Sequence, residues 1–375
     1  MKIALYNLTT TVKTGGVESI VWDVGQKLAE RGHDVTLFGG RGPVRRDLPG
    51  VRVRQYPYIA RTAWGSVPPL RKSLNLLKLL ERLSMAAGSV GDLMAGRYDI
   101  VQVVKPYDFP IGAHVRYWGG ARLVYNSHGT DFFPGDVLFR RAIDGAFACS
   151  RYNAHMVEAR YHIPIDVSYN GFDAAMFRPL PPDPALRARY APPDAPLLLY
   201  AGRLVTFKGI DHLLGALALL PKARLLLAGE GPHRRQLEEQ AARLGLSGRV
   251  HFLGNRPHAE LPALYAISDL FVMPSTDHET FCVAACEAMG CARPVVAART
   301  GGLVEVVRDG ETGFLVPPAD PHALAERIRT LLDDPTLRER MGRAGREWTN
   351  SMFTWERVIE RMLACYTRVL SAAKP

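Results

Sequence analysis

The sequence predicts an α/β protein made of two doubly wound parallel-sheet domains in series. Three observations lead there. Short apolar runs alternate with amphipathic helical segments along the whole chain, a βαβα rhythm that argues for parallel sheets. A proline-dense stretch, residues 179–196, interrupts the rhythm once, and it restarts beyond. The length of 375 residues favours two domains over one.

Residues 2–8 read as the first strand. Thr14-Gly15-Gly16-Val17-Glu18 opens an amphipathic helix that ends near Arg31, with Gly32 as its cap. The next strand starts at Asp34, and residues 51–56 alternate like a half-exposed strand. Further short strands start at Asp99, Arg122 and Gly145. Residues 73–87 form a leucine-rich amphipathic segment flanked by Arg71, Lys72 and Arg82. It reads first as a core-facing helix and second as a membrane-surface helix. Residues 179–196 read as the interdomain connector, enclosing a short helical turn. Beyond it, strands start at Leu197, Ala223, Val250, Leu270, Pro294 and Gly313. Helices intervene near 209–219, 233–245, 258–267, 282–290 and 321–333, and two more close the chain near 335–348 and 354–372. Two such domains in series leave a cleft, a common place for a ligand.

Composition narrows the function classes. A hydrophobic fraction of 47% and a charged fraction of 22% are ordinary for a soluble globular protein. No apolar run approaches the roughly 20 residues of a membrane span. The amino terminus reads as a strand rather than a signal peptide. Five scattered cysteines without metal-ligand spacing suggest reduced thiols in a cytosolic protein. The net charge is +10, and residues 1–180, with 23 basic and 15 acidic residues, carry 23 − 15 = +8 of it. Such a surface suits a phosphorylated substrate, an anionic membrane or nucleic acid. It is equally a solvated, arginine-rich surface. No aromatic-interleaved basic stripe supports nucleic acid.

The residues suited to chemistry lie at strand ends. Glu279 and Glu287 flank a short apolar segment that leads from a strand into a helix. The carboxyl end of a parallel strand is where ligands bind, and a helix start attracts anions. Two acids there fit a phosphorylated, hydroxyl-rich ligand. Arg203 and Lys208, in another strand-to-helix loop, can clamp a pyrophosphate and stabilise a departing phosphate. Gly15 and Gly16 permit close backbone approach to a ligand but match neither full phosphate-loop fingerprint, and a simple tight turn is the alternative. His128 and Asp131 follow a strand, where the imidazole can donate to a hydroxyl or phosphate and the carboxylate can orient an acceptor hydroxyl. Glu230 ends a further strand, and the loop with Arg256 and Pro257 can hold a flat base. No metal-binding motif is evident, so positive charge at a phosphate falls to Arg203, Lys208 and helix dipoles.

Gly15-Gly16-Val17-Glu18, His128-Gly129, Asn170-Gly171-Phe172-Asp173, Gly202-Arg203 with Lys208-Gly209, Gly229-Glu230-Gly231-Pro232, the Glu279–Glu287 pair, Gly301-Gly302 and Phe353-Thr354-Trp355 occur in that order. In this the chain resembles the retaining glycosyltransferases of family 4. The resemblance implies the GT-B fold, two Rossmann-like domains facing each other across a cleft. Residues 1–180 would be the acceptor side, with the C-terminal helix 354–375 packing back onto it, and 181–353 would bind a nucleotide sugar. Glu287 would take the ribose hydroxyls, Glu279 the sugar hydroxyls, and Arg203 and Lys208 the diphosphate. Backbone near Phe281, Cys282 and Val283 would contact sugar and phosphate, Gly16 would approach the phosphate, and His128 would stand near the reacting centre. Glu230, Arg256 and Pro257 complete the donor set, and Glu18 and Asp131 belong to the acceptor.

The implied reaction moves a hexose-type sugar from a nucleoside diphosphate, uridine first and guanosine second, to a hydroxyl of a polysaccharide, glycolipid or small metabolite. Front-side attack would retain configuration, with no metal and no cofactor. The setting would be cytoplasmic, with peripheral contact to an anionic membrane through the basic N-terminal domain left open. The alternatives are a nucleotide-sugar epimerase or sugar phosphorylase of similar fold, and a membrane- or nucleic-acid-binding protein. One departure stands out. The family's Glu-Gly-Phe-Gly is Glu279-Thr280-Phe281-Cys282 here, so Cys282 replaces a glycine where backbone should approach the sugar.

Overall fold

Short apolar, β-prone runs bounded by turn residues become thirteen strands in the computed structural model, which describes residues 1–67, 70–277 and 279–372. One sheet holds β1 (Lys2–Tyr6), β2 (Asp34–Gly40), β3 (Val51–Tyr56), β4 (Ile100–Val103), β5 (Arg122–Ser127), β6 (Gly145–Ala148) and β7 (Asp166–Val167). Its spatial order is β3-β2-β1-β4-β5-β6-β7. The other holds β8 (Leu197–Ala201), β9 (Arg224–Ala228), β10 (Val250–Gly254), β11 (Leu270–Met273), β12 (Val295–Ala298) and β13 (Gly313–Val316), in the order β10-β9-β8-β11-β12-β13. Neighbouring strands pair in parallel throughout. Each sheet grows outward from its first strand and then returns past it, which is the doubly wound pattern. The return creates a switch point between β1 and β4 in one sheet and between β8 and β11 in the other, where a crevice forms outside the carboxyl ends.

Central strands such as β8, β11 and β12 are buried throughout, as parallel strands covered on both faces must be. The edge strand β3 keeps its arginines in solvent.

The chain divides into two units, one of residues 1–170 with 355–375, the other 171–354. The last helix, Trp355–Ser371, belongs to the first unit. Trp355, Val358, Ile359, Met362, Tyr366 and Val369 form its buried stripe, and the Tyr366 hydroxyl donates to Gln102 on β4. Gly145 lets this helix close in, because a Cβ there would stand 2.5 Å from Val369. Residues 373–375 lie outside the described residues.

The break falls at Asn170/Gly171 rather than at 180. Phe172 and Phe177 are buried in the second unit, Phe172 so near Gly290 that a Cβ there would meet its ring at 2.6 Å. The proline-dense segment is therefore not a free connector. Its short helix, Pro184–Ala188, places Arg187 against Asp269 at 3.0 Å, inside the second unit.

The leucine-rich segment is the helix Leu74–Ala95, capped by Ser73, whose side chain accepts from the Leu76 N–H. Its inner face carries Leu77, Met85 and Leu93, together with the charged Glu81 and Arg82. Arg82 is not a basic flank: it is buried and ion-paired with Asp108. Leu74, Leu76 and Leu83 stay exposed. Among the described residues, no helix is long and apolar enough to cross a membrane.

Candidate functional site

In the second unit β8 and β11 are hydrogen-bonded neighbours at the switch point, so the loops leaving their carboxyl ends run side by side. After β8 the backbone turns through Gly202, and the Arg203 carbonyl accepts from the Tyr200 hydroxyl at 2.9 Å. A single 3-10 turn, Thr206–Lys208, ends at Gly209 in the left-handed conformation with φ of 64°. A Cβ at Gly209 would lie 2.1 Å from the Pro274 carbonyl oxygen. Only glycine allows these two loops to touch. The Thr276 N–H donates to the Phe207 carbonyl at 2.8 Å and ties them together.

That contact brings Lys208 and Glu279 into an ion pair with side-chain exposures of only 12% and 13%. The same Glu279 oxygen accepts from the Ser275 hydroxyl at 3.2 Å. Its backbone is fixed from behind, where the Gly302 N–H donates to the Glu279 carbonyl at 2.6 Å. Gly301 sits at φ of 48°, and a Cβ on it would come within 2.2 Å of that carbonyl. Arg203 and Lys208 flank the Phe207 ring, at 5.9 and 5.7 Å from its centroid.

Four residues past Glu279, the helix Val283–Gly290 begins with no side chain capping it. The Ala285 N–H turns back to the Cys282 carbonyl at 3.2 Å, and the preceding first-turn N–H groups suit an external anion. Cys282 is the N-cap, at φ of −140° and ψ of 92°. That is ordinary extended backbone, so cysteine in place of glycine introduces no strain there. Burial, reinforced by Glu279, pushes its thiol up to about 12, so it stays protonated at neutral pH. It is no candidate nucleophile. Phe281 is buried edge-on against Phe353, with centroids 5.4 Å apart.

Glu287 lies one turn into that helix and is buried. His258 Nε2 stands 2.7 Å from its Oε1, and the Tyr265 hydroxyl lies 3.3 Å from its Oε2. Pro257 heads the turn His258–Glu260. Two expected side chains are engaged locally: Glu230 pairs with Arg234, and Arg256 stands 3.7 Å from Glu260. The structure thus gathers Arg203, Lys208, Glu279, Phe281, Cys282, Val283 and Glu287 on one strand-end face. Glu230 and Arg256 join it with their charges already opposed. Sequence reasoning missed Ser275, His258 and Tyr265. His258 directly follows Pro257, and Ser275 stands four positions before Glu279. Tyr265 gave no signal, being one aromatic in an apolar helical run.

The first unit's strand ends are built differently. Gly15 caps the helix Gly16–Glu30, and Glu18 folds back over it, so a Cβ on Gly15 would meet its Oε2 at 2.4 Å. Lys13 stands 3.5 Å from Glu18. Gly16 is open: a Cβ on it would meet nothing within 4 Å. His128 follows β5. Burial, helped by the Lys105 charge, pulls its imidazole down to about 3, although a hydrogen bond with Asn170 works the other way. It is therefore neutral at physiological pH. Burial alone would raise Asp131, but Lys78 at 2.7 Å and Lys105 at 3.7 Å outweigh it and hold the carboxyl below its usual range. Among the described residues, no three of His, Cys, Asp and Glu gather in a group suited to a metal ion.

Two family models match the chain in tandem: Glycosyltransferase Family 4 over residues 14–175, and Glycosyl transferases group 1 over residues 184–348. D-inositol 3-phosphate glycosyltransferase 1 of Catenulispora acidiphila is 31% identical over 96% of this chain and 92% of its own length. A GDP-mannose-dependent alpha-(1-6)-phosphatidylinositol monomannoside mannosyltransferase of Mycolicibacterium smegmatis is 38% identical over 70% of this chain and 75% of its own. Among solved structures, sucrose-phosphate synthase of Thermosynechococcus elongatus superposes with a TM-score of 0.83 at 25% identity, covering 99% of this chain and all (100%) of that one. Anabaena HepE in complex with UDP and glucose gives 0.80, also at 25% identity, with 99% and 100% covered.

Proposed function

Because the chain belongs to glycosyltransferase family 4, a family of GT-B enzymes using nucleotide-sugar donors, we propose that it is a retaining, metal-independent hexosyltransferase. UDP-hexose is the favoured donor and GDP-hexose the second. The observation that carries this reading is the Lys208–Glu279 pair beside the uncapped helix start at Cys282. That arrangement places a cation and free N–H groups next to a fixed hydroxyl acceptor, the complement of a diphosphate joined to a sugar.

In this reading Arg203, Lys208 and the N–H groups near Cys282 and Val283 hold the diphosphate. Glu279, steadied by Ser275, accepts from the sugar hydroxyls. Glu287 accepts from the ribose, and the loop carrying Arg256 and Pro257 holds the base. The bond between the anomeric carbon and the phosphate oxygen breaks, leaving its electron pair on phosphate. Lys208, Arg203 and the helix start stabilise that charge as it develops. The acceptor oxygen bonds to the same face, and its proton passes to the departing phosphate oxygen. In the first unit Gly15 and Gly16 are assigned to phosphate. His128, being neutral, donates to the sugar rather than acting as a charged acid. Glu18 and Asp131 are assigned to the acceptor, a hydroxyl of a polysaccharide, glycolipid or small metabolite.

A thermal-shift panel of UDP, GDP, ADP and their hexose conjugates, with and without EDTA, tests the donor and metal assignments, since a native-state ligand raises apparent stability. Transfer from the α-anomer of the stabilising donor should give an α-linked product. A β-linked product or an EDTA-dependent rate would overturn the mechanism.

A further inference from the structure

The two oxygens of Glu287 are held unequally. The Tyr265 hydroxyl has one proton and two acceptors, the Ala284 carbonyl at 3.0 Å and Glu287 Oε2 at 3.3 Å, so the carboxylate receives the weaker share. His258 Nε2 reaches Oε1 at 2.7 Å, the short range of a charge-assisted bond. A carboxylate only accepts, so Nε2 carries the proton in this contact. Tyr265 is buried beneath the site, whereas the His258 side chain is 58% exposed at its rim. The imidazole leans on Phe177, a buried ring whose centroid is 4.9 Å away.

We propose that His258 is a positioning residue for the nucleotide ribose, acting through Glu287. This rests on the assignment of Glu287 to the ribose. A carboxylate has about four acceptor positions. With one taken by His258 and one shared with Tyr265, each oxygen keeps one lone pair on its open side. Two lone pairs on two oxygens match two vicinal hydroxyls. Without His258, Oε1 loses its anchor and the carboxylate can rotate off that geometry. Phe177 limits where the imidazole can stand, so it sets the direction from which Oε1 is held.

Calorimetric binding of UDP and 2′-deoxy-UDP to the full-length protein tests this, with GDP and its deoxy form if the wild type prefers guanosine. In His258→Ala, UDP should bind about tenfold more weakly, the size of one lost hydrogen bond to a charged group. The deoxy nucleotide should lose roughly threefold or less. The loss should appear in donor KM and not in kcat. His258→Gln, whose amide can donate to the same oxygen, should recover most of it. In a Glu287→Gln background His258→Ala should add little. Equal loss for both nucleotides, or no rescue by glutamine, would overturn the role of His258 while leaving Glu287 on the ribose. A wild type that binds UDP and 2′-deoxy-UDP alike would remove the ribose assignment, and this inference with it.

Discussion

The strand-end faces of the two units are related by topology and differ in what holds their charged groups in place. In the second unit the helix after β11 starts uncapped, and backbone glycines press the loops together behind Lys208 and Glu279. In the first unit the corresponding glycine turn is covered by its own Glu18, and Asp131 is held by Lys78 and Lys105. Neither helix start is capped by a side chain. The difference is that Gly209 and Gly301 fix the backbone behind the Lys208–Glu279 pair, whereas Glu18 and Asp131 are held by lysine side chains and the His128 imidazole is neutral. The same fold therefore makes one face whose charged pair is backed by close backbone contacts, and another whose acids are held side chain to side chain. Preorganisation is what stabilises developing charge.

The largest test of that contrast is Lys208→Ala, which should lower kcat about 10²–10³-fold, with Glu279→Ala comparable. Lys78→Ala should cost far less in steady-state assays. An equal loss at Lys78 would erase the distinction between the faces. Next comes the backbone. Gly301→Ala forces a Cβ to 2.2 Å from the Glu279 carbonyl at a positive φ. It should cost about 1–3 kcal/mol in urea unfolding and displace the glutamate. Gly16→Ala meets open space and should shift stability by no more than about 0.5 kcal/mol.

A smaller effect follows from His128, whose folded pKa of about 3 lies below the ordinary 6.5. Between those values the unfolded chain binds a proton that the native state refuses. Stability should therefore fall as pH drops through that window, and His128→Gln should flatten the slope between pH 7 and 5. An activity limb near 6.5 that this variant removes would show a titrating imidazole instead. The smallest effect is at Cys282. Its buried, protonated thiol should resist iodoacetamide at pH 7.5 in the native protein, and Cys282→Ala should keep activity within roughly threefold, as a change touching neither charge nor backbone.

Much of this was legible in the sequence because the second unit's site follows local rules. A strand end, a glycine and a helix start within a few residues announced Gly202-Arg203, Lys208-Gly209 and the Glu279–Glu287 segment. What stayed hidden depends on partners far along the chain. His258 meets Glu287 across 29 positions, and Asp131 meets Lys78 across 53. No local pattern encodes such pairs. The domain break was misplaced for a related reason: proline density marks turns, whereas Phe172 and Phe177 decide which core the segment joins. Arg82 misled similarly, since its burial depends on Asp108, from a different element. Cys282 looked disruptive because a glycine was expected; its extended φ shows that the backbone conformation does not call for one.

The return of helix Trp355–Ser371 to the first unit bears on how the protein is made. The second unit is one continuous stretch, 171–354, and has all its residues before synthesis ends. The first unit does not. Tyr366 donates to Gln102 across 264 positions, and Val369 packs beside Gly145. The unit translated first therefore lacks part of its core until Trp355–Ser371 has left the ribosome. The usual N-terminal-first order of domain completion is reversed here. Until then, the apolar ground on β5 and β6 that this helix covers stays open. A nascent chain stalled short of residue 355 should accordingly protect the second unit from protease and leave the first cleavable.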